Sequence, residues 1–245
     1  MKHFWKKTAL AAVTLLSMGL AQAAVIDFEQ PIDSPLAPFA PLFTHNNEFY
    51  QGDFWIDTLS AKTGAASTDI VGALIDGSDL AATCVGITCP TNNSSHFMAM
   101  LNDGYFYVGS TTGANIKFTS VKASFIGASG DVLPSVPGIL QVTAYNGSGV
   151  ALASQNFNLG GLSGGNLSFA TLTGNAALQA AQASFIRIRA FACDASGSCL
   201  ANGNDKAQFA LDDLTITAVP EPSSLALMGL GVAGLLAYSR RRRAA

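Results

Sequence analysis

The chain has 245 residues, 49% of them hydrophobic and 12% charged, against about 25% charged in an average globular protein. That length fits one large all-β domain or two small domains, and the hydrophobicity excludes intrinsic disorder. With the basic ends (Lys2, Lys6, Lys7 and Arg240 to Arg243) and Glu221 set aside, six bases face 15 acids, a balance of −9, which excludes a nucleic-acid role that would need clustered Lys and Arg.

In chain order, Met1 to Lys7 is basic, Thr8 to Leu20 is apolar, and Ala21-Gln22-Ala23 is a small-x-small cleavage site. Together they predict a signal peptide over residues 1–23, removed by signal peptidase so that Ala24 starts the mature protein. From there to residue 218, β-branched and aromatic runs alternate with Gly, Asn, Asp and Pro. They predict strands at Val25–Glu29, Glu48–Asp57, Asp69–Ile75, His96–Leu101, Tyr105–Gly109, Ile116–Ile126, Ile139–Tyr145, Val150–Phe157, Asn166–Leu172, Ser184–Ala192 and Ala207–Thr217. Asn102-Asp103-Gly104 and Asn146-Gly147 have hairpin-turn chemistry, because Asn and Gly accept positive φ. Asn175 to Ala183, rich in Ala and Gln, predicts the one short helix. With no repeat, long linker or second composition regime, residues 24–218 are expected to form a single jelly-roll-like β-sandwich.

Two strands carry finer expectations. Within Glu48–Asp57, alternation places Tyr50, Phe54 and Ile56 on a core face and Asp53, Trp55 and Asp57 on the other. An aromatic between carboxylates suits stacking on a sugar ring, whereas Trp55 half-buried beneath a loop is the plainer reading. Tyr105 and Tyr107 are further candidate glycan contacts. In the last strand, Phe209 and Leu211 differ in parity from Leu214 and Ile216, so Asp212-Asp213 is expected to form a β-bulge.

The four mature cysteines form two local pairs, Cys84 with Cys89 and Cys193 with Cys199. An exported chain with an even count is expected to be disulfide-bonded. Three connectivities are open, of which 84–89 with 193–199 is the simplest. A four-thiolate zinc site is the alternative, although it usually shows tighter C-x2-C knuckles.

Catalytic signals are weak. Gly161-Leu162-Ser163-Gly164-Gly165 fits the G-x-S-x-G pattern but precedes a predicted strand, where a nucleophile elbow requires a helix. His45 and His96 lack metal-spaced partners, and Asp76-Gly77-Ser78-Asp79 lacks EF-hand spacing. No catalytic residue is assigned, and the chain is expected not to be an enzyme.

At the C-terminus, Pro220-Glu221-Pro222 ends the last strand, since proline cannot donate to a ladder. The uncharged stretch from Leu225 to Tyr238 would make a helix of about 21 Å, short of a ~30 Å hydrocarbon core. Arg240, Arg241, Arg242 and Arg243 would hold its far end cytoplasmic. A plain anchor has the same physics. The order over residues 219–243 resembles the PEP-CTERM sorting signal, with Pro220, Glu221 and Pro222 matching its motif. The resemblance implies transient insertion in the inner membrane, cleavage by an exosortase (a membrane-embedded cysteine transpeptidase) and delivery to the cell surface or beyond, in an exopolysaccharide or biofilm setting.

A second resemblance covers the mature chain. Gln208-Phe209-Ala210-Leu211-Asp212 matches the Gln-Phe-x-x-Asp motif of one PEP-CTERM passenger family. Ile26-Asp27-Phe28-Glu29, Cys89-Pro90 and Leu101-Asn102-Asp103-Gly104-Tyr105 are similar to it as well. A looser likeness is to carbohydrate-binding jelly rolls, in which a first-strand Glu and a last-strand Asp hold a structural calcium. It implies Glu29 with Asp212 or Asp213 as ligands; solvated or turn-capping carboxylates are the competing reading. The expected function is therefore that of a non-enzymatic surface or extracellular-matrix protein. A carbohydrate-binding module is the alternative, and a hydrolase a more distant one.

Overall fold

The computed structural model describes residues 23–29, 41–200, 205–219, 229 and 231. The expected signal peptide except Ala23, the Pro220 to Pro222 motif, the Arg240 to Arg243 cluster and nearly all of the expected membrane span lie outside the described residues.

Sixteen strands run along the described chain. They are β1 (Ala23–Ile26), β2 (Leu42–Thr44), β3 (Asn47–Gln51), β4 (Phe54–Ser60), β5 (Ile70–Asp76), β6 (Ile87–Thr88), β7 (His96–Met100), β8 (Gly104–Ser110), β9 (Asn115–Phe125), β10 (Gly127–Ala128), β11 (Gly138–Tyr145), β12 (Ala151–Leu159), β13 (Ala170–Thr173), β14 (Phe185–Cys193), β15 (Cys199–Leu200) and β16 (Phe209–Val219). The first sheet has the order β13-β9-β16-β7-β5-β2, with β1 also paired to β16; the second has β12-β11-β14-β8-β4-β3, with β15 paired to β14. A two-stranded ribbon of β6 and β10 lies apart.

The two sheets form a sandwich because their strands alternate. In β8, Phe106 and Val108 are fully buried between half-exposed Tyr105 and Tyr107. Such period-two patterning turns one face inward and leaves the other to solvent. Phe106 of the second sheet meets Phe209 of the first at 6.4 Å between ring centroids. Ile56, Val142, Ile186 and Ile188 meet Val71, Met98, Phe118, Leu211 and Ile216 in the same core. A smaller apolar cluster forms on the far side of the first sheet, where Ile75, Phe97, Phe169 and Ala210 are covered by Leu80, Cys84, Ile87 and Cys89.

Both disulfides have the local connectivity, Cys84–Cys89 and Cys193–Cys199. The first closes the loop that covers the smaller cluster. The second ties β14 to β15. The expected bulge is present: the β16–β9 register shifts between Asp212 and Thr215, and Asp213 has φ 46°. The expected helix is shorter than its sequence window, α2 (Ala176–Ala180), capped by the Asn175 side chain. It follows a single-turn helix, α1 (Leu80–Thr83), capped by Asp79, that the sequence pattern did not reveal.

Three expectations need correction. Glu48–Asp57 is not one strand but the hairpin β3–β4, turning at Gly52-Asp53 with Gln51 opposite Phe54 and Gly52 at φ 56°. The two-residue turn reverses the chain, so Tyr50 leaves the core face and is 59% exposed, while Asp53 sits in the turn. Second, Asn102 and Asp103 do take positive φ (54° and 56°), with the Gly104 amide donating to the Leu101 carbonyl. That turn is no hairpin, however; it carries the chain from β7 in the first sheet to β8 in the second. Third, the strand expected at Asn166–Leu172 begins only at Ala170, because Ser163 to Asn166 closes a tight turn through Gly164 and Gly165, both at positive φ.

Candidate ligand-binding face

The outward face of the second sheet is organised by register. One row across the strands reads Tyr145, Phe185, Gly109, Trp55, Tyr50. The next reads Ser154, Thr143, Arg187, Tyr107, Asp57, Glu48, and a third reads Asn156, Gln141, Arg189, Tyr105, Leu59. With strands ~4.8 Å apart, a five-residue row spans roughly 19 Å. This is a broad surface of rings and hydrogen-bonding groups.

Gly109 explains how Trp55 lies. A Cβ added there would fall 2.4 Å from Cζ2 and 2.6 Å from Cε2 of the indole. The ring therefore packs against the bare backbone of β8. Its neighbours interlock: Tyr145 stacks on Phe185 (5.2 Å, 14°), Phe185 meets Tyr107 edge-on (5.3 Å), and Tyr107 meets Tyr105 edge-on (5.7 Å). Offset and edge-to-face contacts of this kind hold rings rigidly.

The polar groups are equally placed. Arg187 lies over the Tyr145 ring at 5.2 Å and Arg189 over Phe191 at 4.4 Å. Arg189 Nε donates to Gln141 Oε1 (3.0 Å), whose amide donates on to Asn156 Oδ1 (3.1 Å). Arg187 Nε is shielded from solvent and has no hydrogen-bond partner among the described residues. Burial, and then the charge of Arg187, push Arg189 below its ordinary pKa. Burial likewise raises Tyr105, with the neighbouring Tyr107 adding to it. Burial raises the Asp57 carboxyl, repulsion from Glu48 adds to this, and His45 opposes it. At the exposed edge, Tyr50 donates its hydroxyl to Glu48, and that hydrogen bond raises the Tyr50 pKa.

The expected glycan contacts Trp55, Tyr105 and Tyr107 thus share one face. Asp57 joins them, whereas Asp53 does not. Sequence alternation alone missed Arg187, Arg189, Tyr145 and Phe185, although their signal was present. In Phe185-Ile186-Arg187-Ile188-Arg189-Ala190-Phe191, every outward residue is aromatic or cationic, and every inward one is Ile or Ala.

The expected calcium ligands find protein partners. Glu29 accepts from the His96 amide (2.7 Å) and faces His96 Nδ1 (3.0 Å). Asp212 is buried and accepts from Asn93 Nδ2, Ser95 Oγ and the Asp213 amide. Asp213 pairs with Lys122 at 2.5 Å. Among the described residues, no three His, Cys, Asp or Glu side chains gather as a metal site. Ser163 sits in its Gly-rich turn, bonded by backbone to Asn166. His45 Nδ1 accepts from the Ser60 amide.

Residues 218–243 match the PEP-CTERM protein-sorting motif, which makes this a PEP-CTERM domain-containing protein. The motif implies export, with membrane anchoring before exosortase cleavage. No helix among the described residues is long and apolar enough to cross a membrane. No curated protein matches the sequence. Among solved structures, a DUF4465 family protein from Bacteroides caccae ATCC 43185 is similar at 12% identity and TM-score 0.49, covering 80% of this chain and 99% of that one. A DUF4465 family protein from Bacteroides ovatus ATCC 8483 is similar at 8% identity and TM-score 0.39, over 80% and 99%. TmCBM61, solved in complex with β-1,4-galactotriose, is similar at 8% identity and TM-score 0.33, over 66% and 88%. Scores this low bear on neither ligand nor activity.

Proposed function

We propose that this is a non-enzymatic, exosortase-sorted protein of the cell surface or extracellular matrix, which binds polysaccharide on the outward face of its second sheet. The observation that carries the reading is the registered surface of Trp55, Tyr105, Tyr107, Tyr145 and Phe185. The indole packs against Gly109 on the outward face rather than in the core. Sugar rings present apolar C–H faces bordered by hydroxyls. Flat rings interleaved with Asp57, Gln141, Asn156 and Arg side chains match that chemistry, since binding surfaces combine apolar contact with a few placed polar groups. The alternation of strands between the sheets supports a jelly-roll-like reading of the sandwich, which supplies a rigid support for the face. An exopolysaccharide or biofilm matrix is the setting that would offer such a ligand to an exported protein.

A glycan array with the signal-peptide-free protein tests the reading. Binding to one polysaccharide class should fall roughly 30-fold in Trp55→Ala, the loss of a central ring contact, with the β-sheet circular-dichroism spectrum and a cooperative melting transition retained. Absence of binding to every glycan, or binding indifferent to Trp55, Tyr105 and Tyr107, would leave the protein as a surface scaffold without this ligand.

A further inference from the structure

Resting on the polysaccharide-binding reading, we infer that the glycan is carboxylated, with a uronate-type sugar whose carboxylate is held by Arg187 and Arg189. Between residues 24 and 219 the chain contains two arginines. Both stand on the outward face of β14, two residues apart, in adjacent rows of the ligand face. Fifteen acids share that stretch of chain, yet among the described residues neither guanidinium is ion-paired. The Lys–carboxylate pair that does form among the described residues is Lys122 with Asp213.

Aromatic rings hold the two cations instead, Tyr145 under Arg187 and Phe191 under Arg189. A guanidinium lying over a ring can still donate in its own plane; Arg189 Nε is taken by Gln141 and Arg187 Nε is shielded, which leaves the terminal N–H groups of both to meet a carboxylate in a bidentate way. Arg187 Nε has no acceptor among the described residues. Two like charges on one strand face also repel one another, and burial with that repulsion already depresses Arg189. A carboxylate between them relieves the repulsion and accepts from their terminal N–H groups.

The rest of the face decides what bears the carboxylate. Tyr107 is the register partner of Arg187, and Tyr105 of Arg189. An anion held by the arginines therefore lies beside rings suited to stack on a sugar. Asp57 and Glu48 occupy the far end of the arginine row, so a polymer carrying dense charge along its whole length would meet repulsion there. The acidic balance of the chain likewise opposes any polyanion beyond contact range, and screening confines the attraction to the arginines themselves. The fitting ligand is a polysaccharide with its carboxylates spaced between uncharged sugar faces.

The test is calorimetric titration of the exported protein with polygalacturonate, alginate and a mixed neutral–uronate exopolysaccharide. Each is compared with its carboxyl-reduced form, and dextran sulfate serves as a generic polyanion. At least one carboxylated polymer should bind, and its reduced form should bind roughly 10-fold or more weakly. Arg187→Gln/Arg189→Gln should show the same loss at an unchanged melting temperature, and Arg187→Lys/Arg189→Lys an intermediate one. Equal binding of native and reduced polymers, still dependent on Trp55, overturns the charge inference while the polysaccharide reading stands. Binding of dextran sulfate as tight as that of the uronate polymer, unaffected by Trp55→Ala, overturns it in favour of plain charge attraction. No binding to any polymer, with self-association of the protein lost in Trp55→Ala or Tyr107→Ala, assigns the face to a second copy of the chain and overturns both.

Discussion

Gly109→Ala separates the arrangement of Trp55 from its mere presence. The new methyl would fall 2.4 to 2.8 Å from three indole atoms (Cζ2, Cε2 and Nε1), closer than any real Cβ contact, so the ring must lift off β8. A tryptophan buries 150–250 Å2 when packed, and re-exposing about 60 Å2 costs roughly 1.5 kcal/mol. Alanine in a strand interior recovers about 0.5–1 kcal/mol relative to glycine. The net loss of stability should therefore be about 0.5–1 kcal/mol, while glycan binding, which needs a flat ring, should fall by about 10-fold. The assay is direct because the two tryptophans are Trp5 and Trp55, and removal of residues 1–23 leaves Trp55 alone to fluoresce. Emission should shift to the red in Gly109→Ala, and ligand should quench it less. An unchanged emission maximum together with a higher melting temperature would show that the indole does not rest on Gly109, and the face would lose its central ring.

Three further outcomes follow from the structure. Replacing Cys84 and Cys89 with alanine should lower stability by more than the loop-closure value of roughly 2 kcal/mol, because that loop also covers Ile75, Phe97 and Phe169; replacing Cys193 and Cys199 should cost no more than that value, and equal melting temperatures would contradict this. Burial holds the Asp212 carboxyl above its ordinary pKa of 3.8, against the hydrogen bonds from Asn93 and Ser95; the native state then binds more protons than the unfolded one, so this group's contribution to stability falls as pH rises from 3.8 through its folded pKa. Asp212→Asn should remove that slope, and denaturant titrations showing parallel pH profiles for the two proteins would refute the assignment. Mass spectrometry of the surface-delivered protein should find no peptide beyond about Pro222, and recovery of Arg240 to Arg243 on it would show a permanent anchor.

Much of the scaffold was legible because the strands obey period two so strictly. β11 and β14 lie within a residue or two of their expected bounds, and the parity change at Asp212-Asp213 located a real bulge. What failed was chain reversal inside an apolar run. Gln51-Gly52-Asp53-Phe54 contains a Gly-Asp pair of the kind that makes two-residue hairpins, but Tyr50, Phe54 and Ile56 continued a plausible alternation across it. Reversing the chain there moved Tyr50 to the outer face and paired it with Trp55. The candidate site was half legible for a related reason. Alternation says which residues share a face of one strand; which strands lie side by side is a long-range matter. Arg187 and Tyr107 are 80 positions apart in sequence and become neighbours only through the β14–β8 pairing.

Body and tail meet at one strand. β16 is held on both sides, by β9 along its length and by β7 and β1 in turn. Its last residue, Val219, still pairs with Asn115. The sorting motif match begins at residue 218, so the folded body continues into the address with no intervening linker. From Val219 to Leu225 a fully extended chain spans at most roughly 20 Å, which would keep the sandwich close to the membrane until cleavage. The ligand face belongs to the other sheet, and its side chains project away from β16. Pairing of Ile116 with Ala183, just before β14, places the Phe185 end of that strand nearest the tail. The three rows of the face therefore step away from the end of the sandwich that carries Val219, from the Trp55 row through Arg187 to Arg189. Under the proposed reading, the strand that carries the sorting motif and the strands that carry the ligand face thus belong to different sheets, and the two roles do not compete for the same surface.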